Sequence, residues 1–396
     1  MRIRSLPTWL RVALALLLFL ALAYPLVLKN SLSKPSGVAR GTSAWPPGSI
    51  KVAVPWPADE SEGLVLGVKL ALEELDAGGG PLAGKVQVNF IDEPESLSNE
   101  GDLARRIAAD QEVVAVIGHE SSAAAIRAAV TYERSGILHL SPKATLTRLS
   151  FHRFQYTFRL VPNDDAVAAA LVEFARTRGW KHIGILYSRI EESEALAQEF
   201  ALQALNEGLV PSFARSYLPA EDYQEKDFRP LLASALDRPA DAILLADRLP
   251  WAGKMLIDMQ ALGMKQPVLA GDNLDSSITW NIAGKSSERL RLASFVDPES
   301  NEPAYAAFRE RFRKRFGSTP GYGAAQGYEA FTLFARAVER SRSTTPIVVA
   351  TTIRTNTWDG LFGKVSFTKD GEVEGRKIII KRIQDGLFIP VKEVNQ

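Results

Sequence analysis

Chemistry in this sequence collects where apolar runs end. Trp56 follows the run Ile50 to Val54, and Gly118-His119-Glu120-Ser121-Ser122 follows Val113 to Ile117. Ser141-Pro142-Lys143-Ala144-Thr145 follows Ile137 to Leu140, and Arg189, Glu191 and Glu192 follow Ile183 to Tyr187. Asp247-Arg248 follows Ala242 to Ala246, and Gly271-Asp272-Asn273 follows Val268 to Ala270. If the runs are strands of parallel sheets, these residues sit at carboxyl ends, where α/β sheets bind ligands. Ser122 is placed to open a helix, so its hydroxyl and the first backbone N–H groups can hold an anion such as a carboxylate. An acid such as Asp272 on another strand end can meet an ammonium. The two facing each other would read an α-amino acid. Each Ser or Asp serves equally well as a helix N-cap.

Catalytic patterns fail one by one. His119, His139, His152 and His182 are not spaced as a metal pair on one helical turn, and none stands in H-E-x-x-H. There is no G-x-S-x-G. Gly284-Lys285-Ser286 resembles the end of a phosphate loop, but the glycine required five residues earlier is Thr279. Gly78 to Gly80 follow a helical pattern rather than a strand, so they form no dinucleotide fingerprint. With no nucleophile–base pair, no metal set and no cofactor motif, the chain reads as a binding protein and not an enzyme.

Composition narrows the class further. Lys plus Arg number 47 against 46 Asp plus Glu, a net charge of +1, which lacks the basic footprint of a nucleic-acid binder. An apolar fraction of 46% is too high for a disordered chain, and 396 residues suffice for two domains. No cysteine is present, which excludes disulfides, thiolate metal sites and a lipidated cysteine. Arg309, Arg311, Arg313, Lys314 and Arg315 interleave with Tyr305, Phe308, Phe312 and Phe316 at helical spacing, as in a helix with an aromatic core face and a solvated basic face.

The elements that must position the polar groups alternate along the chain. Arg2, Arg4 and Arg11 precede an unbroken apolar run, Val12 to Leu28, with Ala21-Leu22-Ala23 resembling a signal-peptidase site. Residues 1–28 are therefore a signal peptide or, uncleaved, a signal anchor, and residues 29–48, rich in Ser, Pro and Gly, are a linker. Helical patterns then run from Ser61 to Asp76, Leu103 to Ala109, Ser122 to Arg134, Asp164 to Arg178, Ser193 to Glu207, Phe228 to Leu236 and Ala252 to Leu262. Between them lie strand-like runs, among them Val86 to Ile91 and Phe158 to Val161. Apolar runs without alternation, separated by amphipathic helices, imply an α/β fold with parallel sheets covered on both faces. Residues 365–391 alternate strand-like runs with turns at Lys369-Asp370-Gly371 and Asp385-Gly386, as an edge hairpin would.

Val116-Ile117-Gly118 through Ser122, Gly136-Ile137-Leu138 and Ser141 to Thr145 resemble the type I periplasmic binding proteins of branched-chain amino acid ABC transporters. So do Leu70-Ala71 to Gly80 with Asp92, Phe158-Arg159 with Pro162-Asn163-Asp164, Lys226-Asp227-Phe228, and Pro239 to Ala242. The resemblance implies two α/β lobes joined by three crossover strands and closing on a ligand. It places residues 49–161 with 292–363 in one lobe and 162–291 with 364–396 in the other. It implies ABC permease subunits as partners, and contact with the membrane through residues 12–28 if these are uncleaved. Ser122 and Thr145 match the family's carboxylate binders, position 143 a backbone contributor, and Asp272 the acid that holds the ammonium. Trp56, Ser121 and Ala144 complete the expected contacts. Lys143 stands where a small residue is usual, Glu192 where an aromatic is frequent, and Arg248 with Leu249 where aromatics are frequent. A polar or acidic amino acid, or another carboxylate, is therefore expected in the cleft, with Lys143 paired to Glu120, Glu192 or the ligand. The alternative is a membrane-anchored ligand sensor or envelope interaction module on the same fold.

Overall fold

The computed structural model describes residues 40–58, 63–93, 97–219, 226–236 and 238–391. The expected signal peptide or anchor, the first part of the linker and the expected helix start at Ser61 lie outside the described residues. Among the described residues no helix is long and apolar enough to cross a membrane.

The first sheet holds β1 (Ile50–Trp56), β2 (Val86–Asp92), β3 (Val113–Ile117), β4 (Leu138–Ser141) and β5 (Thr157–Arg159) in the order β2-β1-β3-β4-β5, every pair parallel. β3 is buried along its whole length, which is why its sequence is apolar without alternation. The helices are α1 (Leu64–Ala77), α2 (Leu97–Ala109), α3 (Ser122–Ser135) and the single turn α4 (Arg148–Phe151). Ser121 caps α3 by accepting from Ala124 N at 3.1 Å, and Gly136 ends it at φ 62°.

The second sheet takes β6 (His182–Ser188), β7 (Val210–Tyr217), β8 (Ala242–Ala246), β9 (Val268–Ala270), β10 (Leu290–Ser294), β14 (Ile379–Gln384) and β15 (Leu387–Pro390). Its order is β15-β14-β10-β9-β8-β6-β7. Its helices are α5 (Asp164–Thr177), α6 (Glu191–Asn206), α7 (Arg229–Leu236), α8 (Trp251–Ala261) and α9 (Ser277–Ala283). This sheet is mixed rather than parallel throughout, because the β14–β15 hairpin pairs antiparallel onto β10. β10 pairs with β9 and β14 along its length, so it belongs whole to the second sheet. β7 was hidden from sequence patterning: it is an edge strand, mostly half-buried or exposed, with Pro211 near its start.

The chain passes between the sheets three times. It leaves β5 for α5. It returns after β10 as α10 (Pro303–Phe316), α11 (Tyr322–Ser341) and α12 (Pro346–Arg354). A small antiparallel ribbon of β11 (Trp358–Gly360), β12 (Gly363–Phe367) and β13 (Val373–Glu374) then leads back to β14. On α10, Tyr305, Phe308 and Phe312 are buried, while Arg311 and Arg315 pair with Glu74 and Glu73 at 2.6 and 2.7 Å, as its interleaved pattern predicts.

The expected linker is docked over its described part. Arg40 is 5% exposed and donates to Ser135 O at 2.8 Å and Val113 O at 3.0 Å, and also to the Ala108 and Asp110 carbonyls. Helix C-termini leave such carbonyls without intrahelical partners, so a guanidinium seated on the ends of α2 and α3 holds the segment in place.

α1 lies along α11, and two glycines let them approach. A Cβ on Gly67 would overlap the Ala324 backbone, and one on Gly327 the Leu64 backbone. Gly327→Ala is expected to destabilise the fold by about 1–3 kcal/mol, the range for overpacking. A thermal melt superimposing on that of the parent would show slack between these helices.

Candidate functional site

The carboxyl ends of the two sheets face each other. On the first-sheet side, Ser122 Oγ accepts from Thr145 N at 3.0 Å and Leu146 N at 3.3 Å, tying the turn after β3 to the loop after β4. Arg159, at the end of β5 and 1% exposed, donates to Ala144 O at 2.6 Å and Leu146 O at 2.7 Å, which shapes the same loop. Lys143 Nζ lies 2.9 Å from Glu120 Oε1. Of the three partners expected for Lys143, Glu120 stands at ion-pair distance. Beneath this pair is a buried network. Glu93 accepts from Glu120 N at 2.9 Å and bonds His119, whose Nε2 is 2.9 Å from the Tyr132 hydroxyl. His139 Nε2 donates to Gly118 O at 2.8 Å. Two of the four histidines thus position the loop from below.

On the second-sheet side, Glu192 opens α6 and reaches across, its Oε1 accepting from Ala123 N at 3.2 Å in the first turn of α3. The α3 N-terminus expected to receive a carboxylate therefore already carries one, from the chain itself. Asp247 accepts from the Tyr217 hydroxyl and from Arg248 N at 2.8 Å. The Arg248 guanidinium is exposed and stands 5.4 Å above the Trp251 ring. Asp272 accepts from the Tyr322 hydroxyl at 2.9 Å.

Burial and charge set the protonation of this cleft. The Lys143 ammonium holds the Glu120 carboxyl below its ordinary range. Burial raises Glu192, with Glu120 adding repulsion and Arg248 opposing it. Burial pushes Asp272 up to about 7 against the attraction of Lys143 and the Tyr322 hydrogen bond. It pushes Asp164, at the start of α5, up to about 6 against Thr145 and Arg159. Asp247 is likewise pushed up to about 6.

Hydrogen bonds and electrostatic couplings link Ser122, Lys143, Ala144, Thr145, Glu192, Arg248 and Asp272 to one another or to shared neighbours, with Ser121 committed to its cap. Trp56 is 2% exposed and packs in the first-sheet core with Leu140 and Phe158. Sequence reasoning missed Tyr322 and Asp164 as site residues. Tyr322 opens a helix after Pro320-Gly321, far from any strand end, and Asp164 reads from sequence only as a helix start.

Two α/β units joined by three chain passages carry these polar residues at their strand ends. The chain belongs to the periplasmic binding protein family, which it matches over residues 56–386. The Leu/Ile/Val-binding protein homolog 1 of Brucella suis is 26% identical over 341 residues, 85% of this chain and 90% of the relative. The leucine-, isoleucine-, valine-, threonine- and alanine-binding protein of Pseudomonas aeruginosa is 23% identical over 309 residues, 78% of this chain and 81% of the relative. A solved ABC transporter substrate-binding protein from Desulfitobacterium hafniense, in complex with Leu, superposes with a TM-score of 0.77 at 27% identity, covering 87% of this chain and 100% of that one.

The raised carboxyls have a consequence for stability. Asp272 keeps its proton to a higher pH in the fold than in the unfolded chain, so the unfolded chain binds fewer protons between 3.8 and about 7 and stability falls as pH rises through that window. His139, held neutral down to about 3 by burial, works in the opposite sense as pH falls below 6.5. Asp272→Asn is expected to flatten the decline toward neutral pH. Denaturant midpoints measured from pH 4 to 8 check this, and an unchanged slope refutes it.

Proposed function

We propose that this chain is the extracytoplasmic solute-binding component of an ABC transporter, closing its two halves on a small carboxylate-bearing ligand, an amino acid or relative with a polar side chain, for delivery to a permease. The halves are residues 49–161 with 292–363 and residues 162–291 with 364–396, with the crossing after β10 drawn past Ser294. The basic and apolar N-terminus supports export, either cleaved after Ala23 or retained as an anchor.

The observation that carries this reading is the charged set between the α3 N-terminus and Asp272. Ser122, Thr145 and the first N–H groups of α3 suit a carboxylate. Asp272 suits an ammonium. Between them lie Lys143, Glu120, Glu192 and Arg248, which suit a polar side chain far better than an aliphatic one, because an apolar group would strip them of water without replacing their partners. Glu192 holds the carboxylate position on α3, so a ligand carboxylate must displace it.

Calorimetric titration of residues 40–396 against amino acids and organic acids tests this. A polar or acidic amino acid is expected to bind, with leucine at least about tenfold weaker, the penalty for leaving polar groups unpaired. Tight leucine binding with none for polar ligands overturns the reading. Glu192→Gln is expected to tighten binding by removing the internal competitor, and Asp272→Asn to weaken it by about 10–100-fold through loss of a charge-assisted contact. Affinity is expected to fall about tenfold per pH unit below about 7, as Asp272 takes up its proton.

A further inference from the structure

A cavity of about 200 Å³ lies away from the cleft, between α10, α11 and the β11–β13 ribbon. Part of its wall is apolar and aromatic, formed by Leu333, Trp358, Val365 and Phe367 with the Tyr328 ring. An adjoining void of about 10 Å³ is lined by Leu160 and Val161 just past β5, Phe295 and Val296 just past β10, and Arg376 ahead of β14. Those are the three passages between the sheets, so the pair of spaces occupies the junction on which any motion of the halves turns. The void has room for about one water. The cavity is larger than the roughly 150 Å³ that accommodates benzene in an apolar protein interior.

The polar groups here are short of acceptors. The Arg376 side chain is 8% exposed and pairs with Glu329 at 3.0 Å, yet among the described residues its Nε has no hydrogen-bond partner. Gln326, 6% exposed and lining the void, has both amide atoms unpartnered among the described residues. Buried groups of this kind are satisfied in native proteins, by protein, water or ligand. The Glu329 carboxylate is committed to Arg376 and to Leu361 N at 2.6 Å, and Arg311 is committed to Glu74 at 2.6 Å. Arg336 donates to Asp359 O at 2.8 Å and makes no ion pair among the described residues. The buried Arg376 Nε without an acceptor, together with the exposed Arg336 guanidinium that also lines this partly aromatic cavity, calls for a flat apolar body carrying an oxygen anion.

We propose that this cavity is a second ligand site, distinct from the cleft, that takes a single-ring aromatic carboxylate. The ring packs among Trp358, Phe367 and Leu333, and the carboxylate faces Arg376 and Arg336.

Calorimetric titration of the purified full chain with phenylacetate, benzyl alcohol and phenethylamine tests the proposal. Phenylacetate is expected to saturate one site, at least tenfold tighter than the neutral alcohol and more tightly still than the amine. Thr332→Trp, which projects into the cavity, is expected to abolish phenylacetate binding. Arg336→Ala, an exposed change that spares the core, is expected to weaken phenylacetate about tenfold while leaving benzyl alcohol unaffected, and it carries the test if the tryptophan variant does not fold. Absence of saturable binding, preference for the amine, or phenylacetate binding indifferent to both substitutions overturns the proposal.

Discussion

The site depends on one buried guanidinium. Arg159 ends the last strand of the first sheet at 1% exposure, where a bare charge would be prohibitive. It is tolerated because its donors are matched: Ala144 O and Leu146 O take Nη1 and Nη2, and Glu372 takes Nε at 3.1 Å. Those acceptors come from the loop that carries Lys143 and Thr145 and from the ribbon that leads back to the second sheet. The same side chain therefore fixes a wall of the cleft and fastens it to a passage between the sheets. The Arg159 backbone repeats the link, donating to Gly371 O at 2.9 Å.

Around that anchor the cleft satisfies itself. Lys143 answers Glu120, Glu192 answers the first turn of α3, and Tyr322 answers Asp272. Three of the groups that a zwitterionic ligand would use thus already hold protein partners, and Glu192 does so from the opposite sheet. Closure of such a cleft draws on protein–protein hydrogen bonds as well as on the ligand, and the ligand's contribution is the difference between the two sets. The departures from an apolar pocket are mutually compensating: a lysine beside a glutamate, and a glutamate beside backbone N–H groups. A single charge introduced into an apolar pocket would lack that compensation.

Much of this architecture was legible locally. β3 and β8 are apolar throughout and match their runs residue for residue, because strands buried on both faces have no polar side to confuse the pattern. The α3 and α5 starts were readable because Ser121 and Asn163 cap them with their own side chains. β7 was not readable, since an edge strand with a proline and half-exposed residues imitates a loop. Residues 40–48 read as linker because the partners that hold Arg40 lie some 70 to 95 residues away in the chain.

The same division separates what the sequence by itself determined from what only tertiary structure decided. Strand ends, helix caps and the list of polar residues after each strand follow from near-neighbour patterns, so the candidate set around Ser122, Thr145 and Asp272 was visible in the chain. Which carboxylate meets which cation, and that Glu192 rather than Ser122 alone occupies the α3 N-terminus, depends on two sheets facing each other. Tyr322 joins Asp272 across 50 positions, and the junction lined by Leu160, Phe295 and Arg376 assembles three distant passages. Pairing of charges is set by distance in space, and sequence spacing carries no information about that distance until the chain has folded.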